Sequence, residues 1–503
     1  MKSGRITDTL DTSRAEKHVR PASSNVLKNS FFILLSRGIQ FLSSFFIVVA
    51  VTRYLSVEQY GVYSFLAAFV SSIMALSYFG IQQVLIREIA QNKITASQTL
   101  GAAIQLRTSL SIVAVTIVLV SFYFMKLPAP IIVAGVVAIM SEFFLSFSML
   151  PKSVFQAFEK MKYEPVIMLI HCLVLSLSVA VVIYFNMGFV WLFIAAAVAN
   201  MIQLAMSLYI LSSRFLHPTF TLERSIFRQF FKDVLVIGIG IFFYQNMFRL
   251  NVLLLKWFGN VEDVSFFNAP HSLIMQIQII PLSLMIAIFP LFSRLMHSDR
   301  EKLAKIYEKL LRFLFIFSTL AGVSLFSFSK EIITTVFGDK YFNSVPALMI
   351  ISWAIIPLTL DMLTNGVLIA MNKQKYSIIY AGLALALNSF AALIFMPTYG
   401  FIAAAYLSLF SYTFLCICSL YFIGKNGLPV RLEKTVGKTF AAVIIGAIIF
   451  VLLKPVSIVL SLFVGTSFYF GAILFMRAFT IDELMELTPH LRRRQNNEGQ
   501  ETL

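Results

Sequence analysis

The sequence predicts an all-α polytopic membrane protein of about fourteen transmembrane helices. Its expected plan is two pseudo-symmetric six-helix lobes in a parallel repeat, followed by two C-terminal helices. Three observations predict it. First, 59% of the 503 residues are hydrophobic and only 13% are charged, whereas soluble domains carry ~25% charged residues. Second, fourteen apolar runs follow one another, and at ~20 residues per spanning helix they use nearly the whole apolar supply. Third, basic residues crowd into every second connection. Together these exclude an ordinary soluble enzyme, a disordered tail protein and a single-span receptor.

The elements follow in order. Residues 1–29 are basic and polar and read as a retained cytoplasmic tail, because the run after them is too long for a cleaved signal peptide. The N-terminal lobe, 30–211, holds runs at 30–51, 61–84, 101–122, 129–149, 165–185 and 189–211. A linker at 212–233 contains Ser225-Ile-Phe-Arg-Gln-Phe-Phe-Lys232, an amphipathic stretch suited to the membrane interface. The C-terminal lobe, 234–423, holds runs at 234–255, 265–292, 313–328, 346–371, 377–396 and 401–423. Two more runs, 439–453 and 456–475, lie within 424–475, and 476–503 is a second cytoplasmic tail. The runs that begin at Gly101 and Phe313 open amphipathically and are the weakest of the set.

Loop charge tests this layout. With the N-terminus inside, the inner segments hold 31 Lys and Arg and the outer loops 6, the bias expected when basic loops stay in the cytoplasm. An even number of spans puts both termini on that side. The net charge of +16 therefore reflects topology, and no nucleic-acid partner is expected. Cys172, Cys416 and Cys418 all lie inside apolar runs, so no disulfide framework or metal quartet follows.

The halves are related. Arg53-Tyr-Leu-Ser-Val-Glu58 closes the first run as Lys256-Trp-Phe-Gly-Asn-Val-Glu262 closes the seventh. Leu106-Arg107 opens the third as Leu311-Arg312 opens the ninth, and Met187-Gly-Phe189 precedes the sixth as Tyr399-Gly-Phe401 precedes the twelfth. Six runs per half give repeats of the same direction, whose interface is the usual place for a substrate site.

Several stretches resemble bacterial polysaccharide flippases of the Wzx type, within the multidrug/oligosaccharidyl-lipid/polysaccharide exporter superfamily. They are Val51-Thr-Arg-Tyr-Leu-Ser-Val-Glu-Gln-Tyr-Gly-Val-Tyr-Ser64, Tyr78-Phe-Gly-Ile-Gln-Gln-Val-Leu-Ile-Arg-Glu88 and Arg249-Leu-Asn-Val-Leu-Leu-Leu-Lys-Trp-Phe-Gly259. Phe289-Pro-Leu-Phe-Ser-Arg294, Val336-Phe-Gly-Asp-Lys-Tyr341 and Met396-Pro-Thr-Tyr-Gly-Phe-Ile-Ala-Ala-Ala405 continue it, over about 30 to 425. The resemblance implies a carrier in the bacterial inner membrane that moves a polyprenyl-pyrophosphate-linked oligosaccharide from the cytoplasmic to the outer leaflet. It also implies a polysaccharide polymerase and a chain-length regulator as partners, beside the lipid bilayer. In one departure, Asn251 stands where many relatives carry an acidic residue.

Charges at membrane depth cost ~2.5–3.5 kcal/mol on insertion scales, so they mark partners, cavities or functions. Arg249 lies ~10 Å in from the outer interface and Arg37 ~24 Å in from it, at 1.5 Å per residue. Both are candidates for holding a pyrophosphate, which a guanidinium grips in two-pronged fashion. Asn251, Asn268 and Asn365, with Gln245 and Asn246, are candidates for a sugar-facing wall or for glue between helices. Asp361, Glu142 and His271 are candidates for ion coupling, since a buried carboxyl or imidazole can titrate near neutral pH; His171 is a weaker one. Arg53, Lys256, Arg87 and Arg107 read as interfacial, with Glu58 or Glu262 the expected ion-pair partners of the first two.

No nucleotide-binding loop is present, for Gly424-Lys-Asn-Gly427 lacks the required frame. No cofactor is expected, and the energy has to come from an ion gradient, the membrane potential or consumption of product. Three alternatives stay open: a lipid-linked peptidoglycan-precursor flippase, a drug/cation antiporter, and a membrane-embedded glycosyltransferase or polymerase. The sparse basic charge of the outer loops disfavours the last.

Overall fold

The computed structural model describes residues 22–219, 224–371, 373–428, 433–455 and 457–476, so most of the two expected tails lies outside the described residues. The first half comprises α1 (Ala22–Tyr54), α2 (Val57–Tyr78), α3 (Ile81–Gln91), α4 (Ala96–Met125), α5 (Ala129–Ala157), α6 (Tyr163–Tyr184) and α7 (Phe189–Arg214). The second comprises α8 (Arg224–Phe258), α9 (Val261–Ile277), α10 (Ile279–Ser298), α11 (Arg300–Ser327), the short α12 (Ser329–Ile332), α13 (Val345–Ser352), α14 (Ile355–Ala370) and α15 (Gln374–Lys425). Between α12 and α13 come a π-helical turn, Ile333–Phe337, and a 3-10 turn, Asp339–Ser344. The last helices are α16 (Glu433–Leu453) and α17 (Ile458–Phe475).

Among the described residues the fourteen apolar runs lie largely on helix, with those at 61–84, 265–292 and 346–371 each broken into two helices. Ten helical stretches among the described residues are long and apolar enough to cross a membrane, and Asp339–Ser352 with Ile355–Ala370, bent by 44°, makes an eleventh. The 52 residues of α15 are two helices joined at Gly400, whose φ of 51° and ψ of −132° break the spiral. The amphipathic openings at Gly101 and Phe313 do not interrupt their helices: α4 starts at Ala96 and α11 at Arg300, where Asp299 accepts from the Lys302 amide at 2.9 Å. The stretch Ser225–Lys232, expected as a separate interfacial segment, is the start of α8. Phe230 and Val234 bury themselves there among Ile81, Val84 and Leu85 of α3.

The repeat shows in local chemistry. The second helix of each half opens on a matched cap, Ser56 with Gln59 and Asn260 with Asp263. Each then breaks, at Gly80 between α2 and α3 and at Gln278 between α9 and α10. Left-handed glycines, Gly188 and Gly400, precede the sixth and twelfth runs. In the first half α1 packs on α6, where Ser43 meets Ser176 at 3.2 Å. In the second, α8 packs on the first part of α15, with Gly382 against Phe243 and Gly240 against Ile378.

The halves meet along α2, which packs on both α8 and α9. Leu66, Val70 and Met74 share one core with Met247, Leu255, Phe267 and Ile274. Two glycines allow the backbones to approach, as small residues do between membrane helices. Gly61 lies against the Val261 carbonyl, and a Cβ at Gly80 would come within 2.8 Å of the Gly238 nitrogen. At the ends expected outside, Arg53 donates to the carbonyls of Thr335 and Val336, and Lys340 donates to the Arg53 carbonyl at 3.0 Å. Arg53 meets these carbonyls, which the π-helical turn leaves free, in place of the expected pair with Glu58. The pair α16–α17 docks on α11, where the Tyr469 hydroxyl donates to the Ile316 carbonyl at 2.8 Å. Phe46, Leu177, Phe390 and Phe463 stay more than half exposed around the bundle, more apolar surface than a water-soluble monomer carries.

Candidate functional site

The break after α2 builds the site. The chain turns at Gly80 with φ +74°, pressed against Gly238 of α8, and so sets Tyr78 on one side of the turn and Gln82 and Gln83 on the other. These three line a cavity of about 280 Å³ with Arg107 of α4, Glu142 of α5, and Gln245 and Arg249 of α8. A second cavity of about 390 Å³, between α2, α8 and α9, shares Gln245 and Arg249 and adds Tyr244, Asn268 and His271. Both lie where the halves face each other.

Four of the polar side chains in the first cavity, Arg249, Glu142, Tyr78 and Arg107, are tied by hydrogen bonds. Arg249 donates from Nη1 to the Ser71 carbonyl of α2 at 3.2 Å, which spans the two halves. Glu142 accepts from the Tyr78 hydroxyl at 3.0 Å, and it lies within electrostatic reach of Arg249. Arg107 is wholly buried and donates from Nη1 to the Ser146 carbonyl. Its guanidinium carbon sits 5.9 Å from the centroid of the Tyr78 ring. Two guanidiniums and one carboxylate give this wall a surplus of positive charge.

Arg107 was expected at an interface and is instead a buried part of the cavity wall, because α4 enters the bundle between α2 and α5. In the second cavity Asn268 donates to Ser64 at 2.9 Å and to Tyr60 at 3.3 Å. His271 shares a 2.9 Å hydrogen bond with the Tyr412 hydroxyl and stacks on Phe267.

The other expected site residues lie elsewhere. Asn251 donates to Ser408 at 2.9 Å and accepts from Asn388 at 3.1 Å, so it joins α8 to both parts of α15 and does not face the cavities. Asn365 accepts from Ser377 at 2.5 Å and joins α14 to α15. Arg37 bonds Gln40 at 3.1 Å and lies near Lys152 and Glu164, away from the Arg249 cavities. Asp361 is wholly buried in the second half, with Ser419 and the tyrosines Tyr244, Tyr307 and Tyr380 around it. Arg87 pairs with Glu88 and with Asp233 of α8 in the open, and Lys256 is half-buried at the end of α8. Among the described residues no three His, Cys, Asp or Glu side chains group as a metal site.

Sequence reading missed Tyr78, Gln82 and Gln83 as cavity residues. The available signal was Tyr78-Phe-Gly-Ile-Gln-Gln83, a helix-breaking glycine flanked by polar groups inside an apolar run.

This helical architecture is shared with solved structures of membrane transporters. The structure is similar to the lipid II flippase MurJ in its inward closed conformation, with a TM-score of 0.69 at 13% identity over 90% of this chain and 99% of that one. It is also similar to an inward-facing multidrug resistance MATE family transporter, with a TM-score of 0.63 at 15% identity, covering 77% and 94%. A Pyrococcus furiosus MOP superfamily transporter, whose binding pocket is described as reversed in polarity, gives 0.62 at 14%, covering 80% and 95%. The chain is thus a multi-pass membrane protein with that fold. Within it, the chain belongs to the polysaccharide biosynthesis protein family, whose model matches residues 26–296. An uncharacterized membrane protein of Methanocaldococcus jannaschii is 25% identical over 270 residues, which cover 50% of this chain and 52%, about half, of that relative.

Proposed function

We propose that the protein is a flippase that carries a polyprenyl-pyrophosphate-linked oligosaccharide from the cytoplasmic to the outer leaflet for cell-surface polysaccharide synthesis. It acts by alternating access of the lobes 30–211 and 234–423 in the inner membrane, with both termini cytoplasmic. The observation that carries this reading is Arg249, set in the wall between the halves and bonded across to Ser71. A guanidinium there binds phosphoryl oxygens without losing its proton. The amides of Gln245 and Asn268 face the sugar, and the prenyl chain stays in lipid. Glu142 is the resident counter-anion of Arg249, which the substrate replaces. Asp361 is the coupling carboxyl, and the chain works as a carrier and not as an enzyme.

The test uses proteoliposomes loaded with a polyprenyl-pyrophosphate oligosaccharide that carries a labelled sugar. Arg249→Ala removes a charge-assisted contact of roughly 1.5–3 kcal/mol, so flipping should fall at least about tenfold. Unchanged flipping by the mutant would remove Arg249 from the mechanism. Absence of flipping by the wild type across several sugars would transfer the function to drug efflux or to an enzyme.

A further inference from the structure

Within the flippase reading, the structure assigns to Arg107 a role that its sequence position hides: it is a second two-pronged anion seat, which makes the site selective for a diphosphate over a monophosphate. This inference rests on Arg249 as the first seat. The geometry of the guanidinium carries it. Nη1 is occupied by the Ser146 carbonyl. One face lies beneath the Tyr78 ring. The two nitrogens left, Nε and Nη2, are buried and have no hydrogen-bond partner among the described residues. Those two N–H groups form one edge, the side-on fork that receives two oxygens of a carboxylate or phosphate in parallel. Buried donors left without acceptors are uncommon in folded proteins.

Glu142, the one carboxylate of this wall among the described residues, does not serve that edge. Glu142 accepts from Tyr78 and is coupled electrostatically to Arg249. Arg107 and Arg249 therefore stand as two cationic groups lining one cavity with one carboxylate, which is coupled to Arg249. A diphosphate has a phosphoryl group for each. A monophosphate ester satisfies Arg249 and leaves the Arg107 edge empty. The pair thus distinguishes the charged prenyl ester that carries sugar from the monophosphate that does not.

The experiment measures equilibrium binding of radiolabelled farnesyl diphosphate and farnesyl monophosphate to the full-length protein in detergent. Wild type should prefer the diphosphate by roughly tenfold or more, the worth of one charged hydrogen-bonded contact. Arg107→Lys keeps the charge and a donor for the Ser146 carbonyl but has no fork. It should lower diphosphate binding to the monophosphate level while monophosphate binding, lost in Arg249→Ala, is retained. That retained binding reports a folded site. Arg107→Gln, neutral and still able to reach Ser146, should show the same loss and serves if the lysine variant does not fold. A diphosphate preference that survives in either folded variant overturns the inference and leaves Arg249 intact. Binding of neither ester by wild type overturns the anion-site reading itself, and this inference with it.

Discussion

Gly61→Val should open the outer side of the protein. A Cβ at position 61 would collide with the Val261 carbonyl, meet Val261 Cγ1 at 2.7 Å and reach Ser265 Oγ at 3.0 Å. The carbonyl and the hydroxyl cannot give way independently, because Ser265 is tied to the Val57 carbonyl at 2.5 Å in the same contact. Relief has to come from separation of α2 and α9. Forcing extra methyl groups into a packed contact costs typically ~1–3 kcal/mol. If the strain exists only while the outer ends are closed, it shifts the equilibrium toward the outer-open form by roughly 5- to 150-fold. Spin labels at Lys126 and Asn343, exposed positions in the two halves, would report this as a new long-distance population in electron–electron resonance. Added loss of the Arg53 and Lys340 contacts should enlarge that population. An unchanged distance distribution in a folded Gly61→Val protein would refute the assignment of α2 and α9 as the outer seal.

Three further outcomes are expected. Asn251→Ala removes the bonds to Ser408 and Asn388; interhelical hydrogen bonds in membranes average ~0.6 kcal/mol and reach ~1.7, so melting should drop slightly while farnesyl diphosphate binding stays. Asp361→Asn keeps the shape of a carboxyl whose surroundings are hydroxyls, thiols and rings, so folding should survive and ion-driven acceleration of flipping in proteoliposomes should vanish. Asp233→Asn breaks the exposed 2.5 Å pair with Arg87; such pairs contribute ~0–1 kcal/mol, and flipping rate and thermal stability should both remain near wild type.

The helices were legible because hydrophobic length is a strong signal at membrane depth. Their joints were less so. Ser293–Arg312 reads as a polar inner segment because of its charge, yet Asp299 ends α10 and caps α11 with only one residue between them. The start of α8 reads as interfacial because Arg228 and Lys232 alternate with aromatics, and its buried side became visible only with α3 in place. Gly400 announced a break, and the signal for the one at Gln278 was Pro281, which falls in the first turn of α10.

The site divides along a similar line. Arg249 stood out because it lies seven positions before the nearest interfacial lysine, so depth alone singled it out. Arg107 was misplaced because its depth was counted from the expected start of the run at Gly101, whereas α4 begins at Ala96 and carries the residue deeper. Asn251 stayed open between two readings for a different reason. An asparagine on an apolar helix is equally suited to a cavity and to a neighbouring helix, and only the partners Ser408 and Asn388, more than a hundred positions away in sequence, decide between them. Charge at depth therefore points to a site from sequence alone when its distance from water is known. Neutral polarity at depth does not, because lipid obliges every amide to find a partner whether or not it serves a substrate.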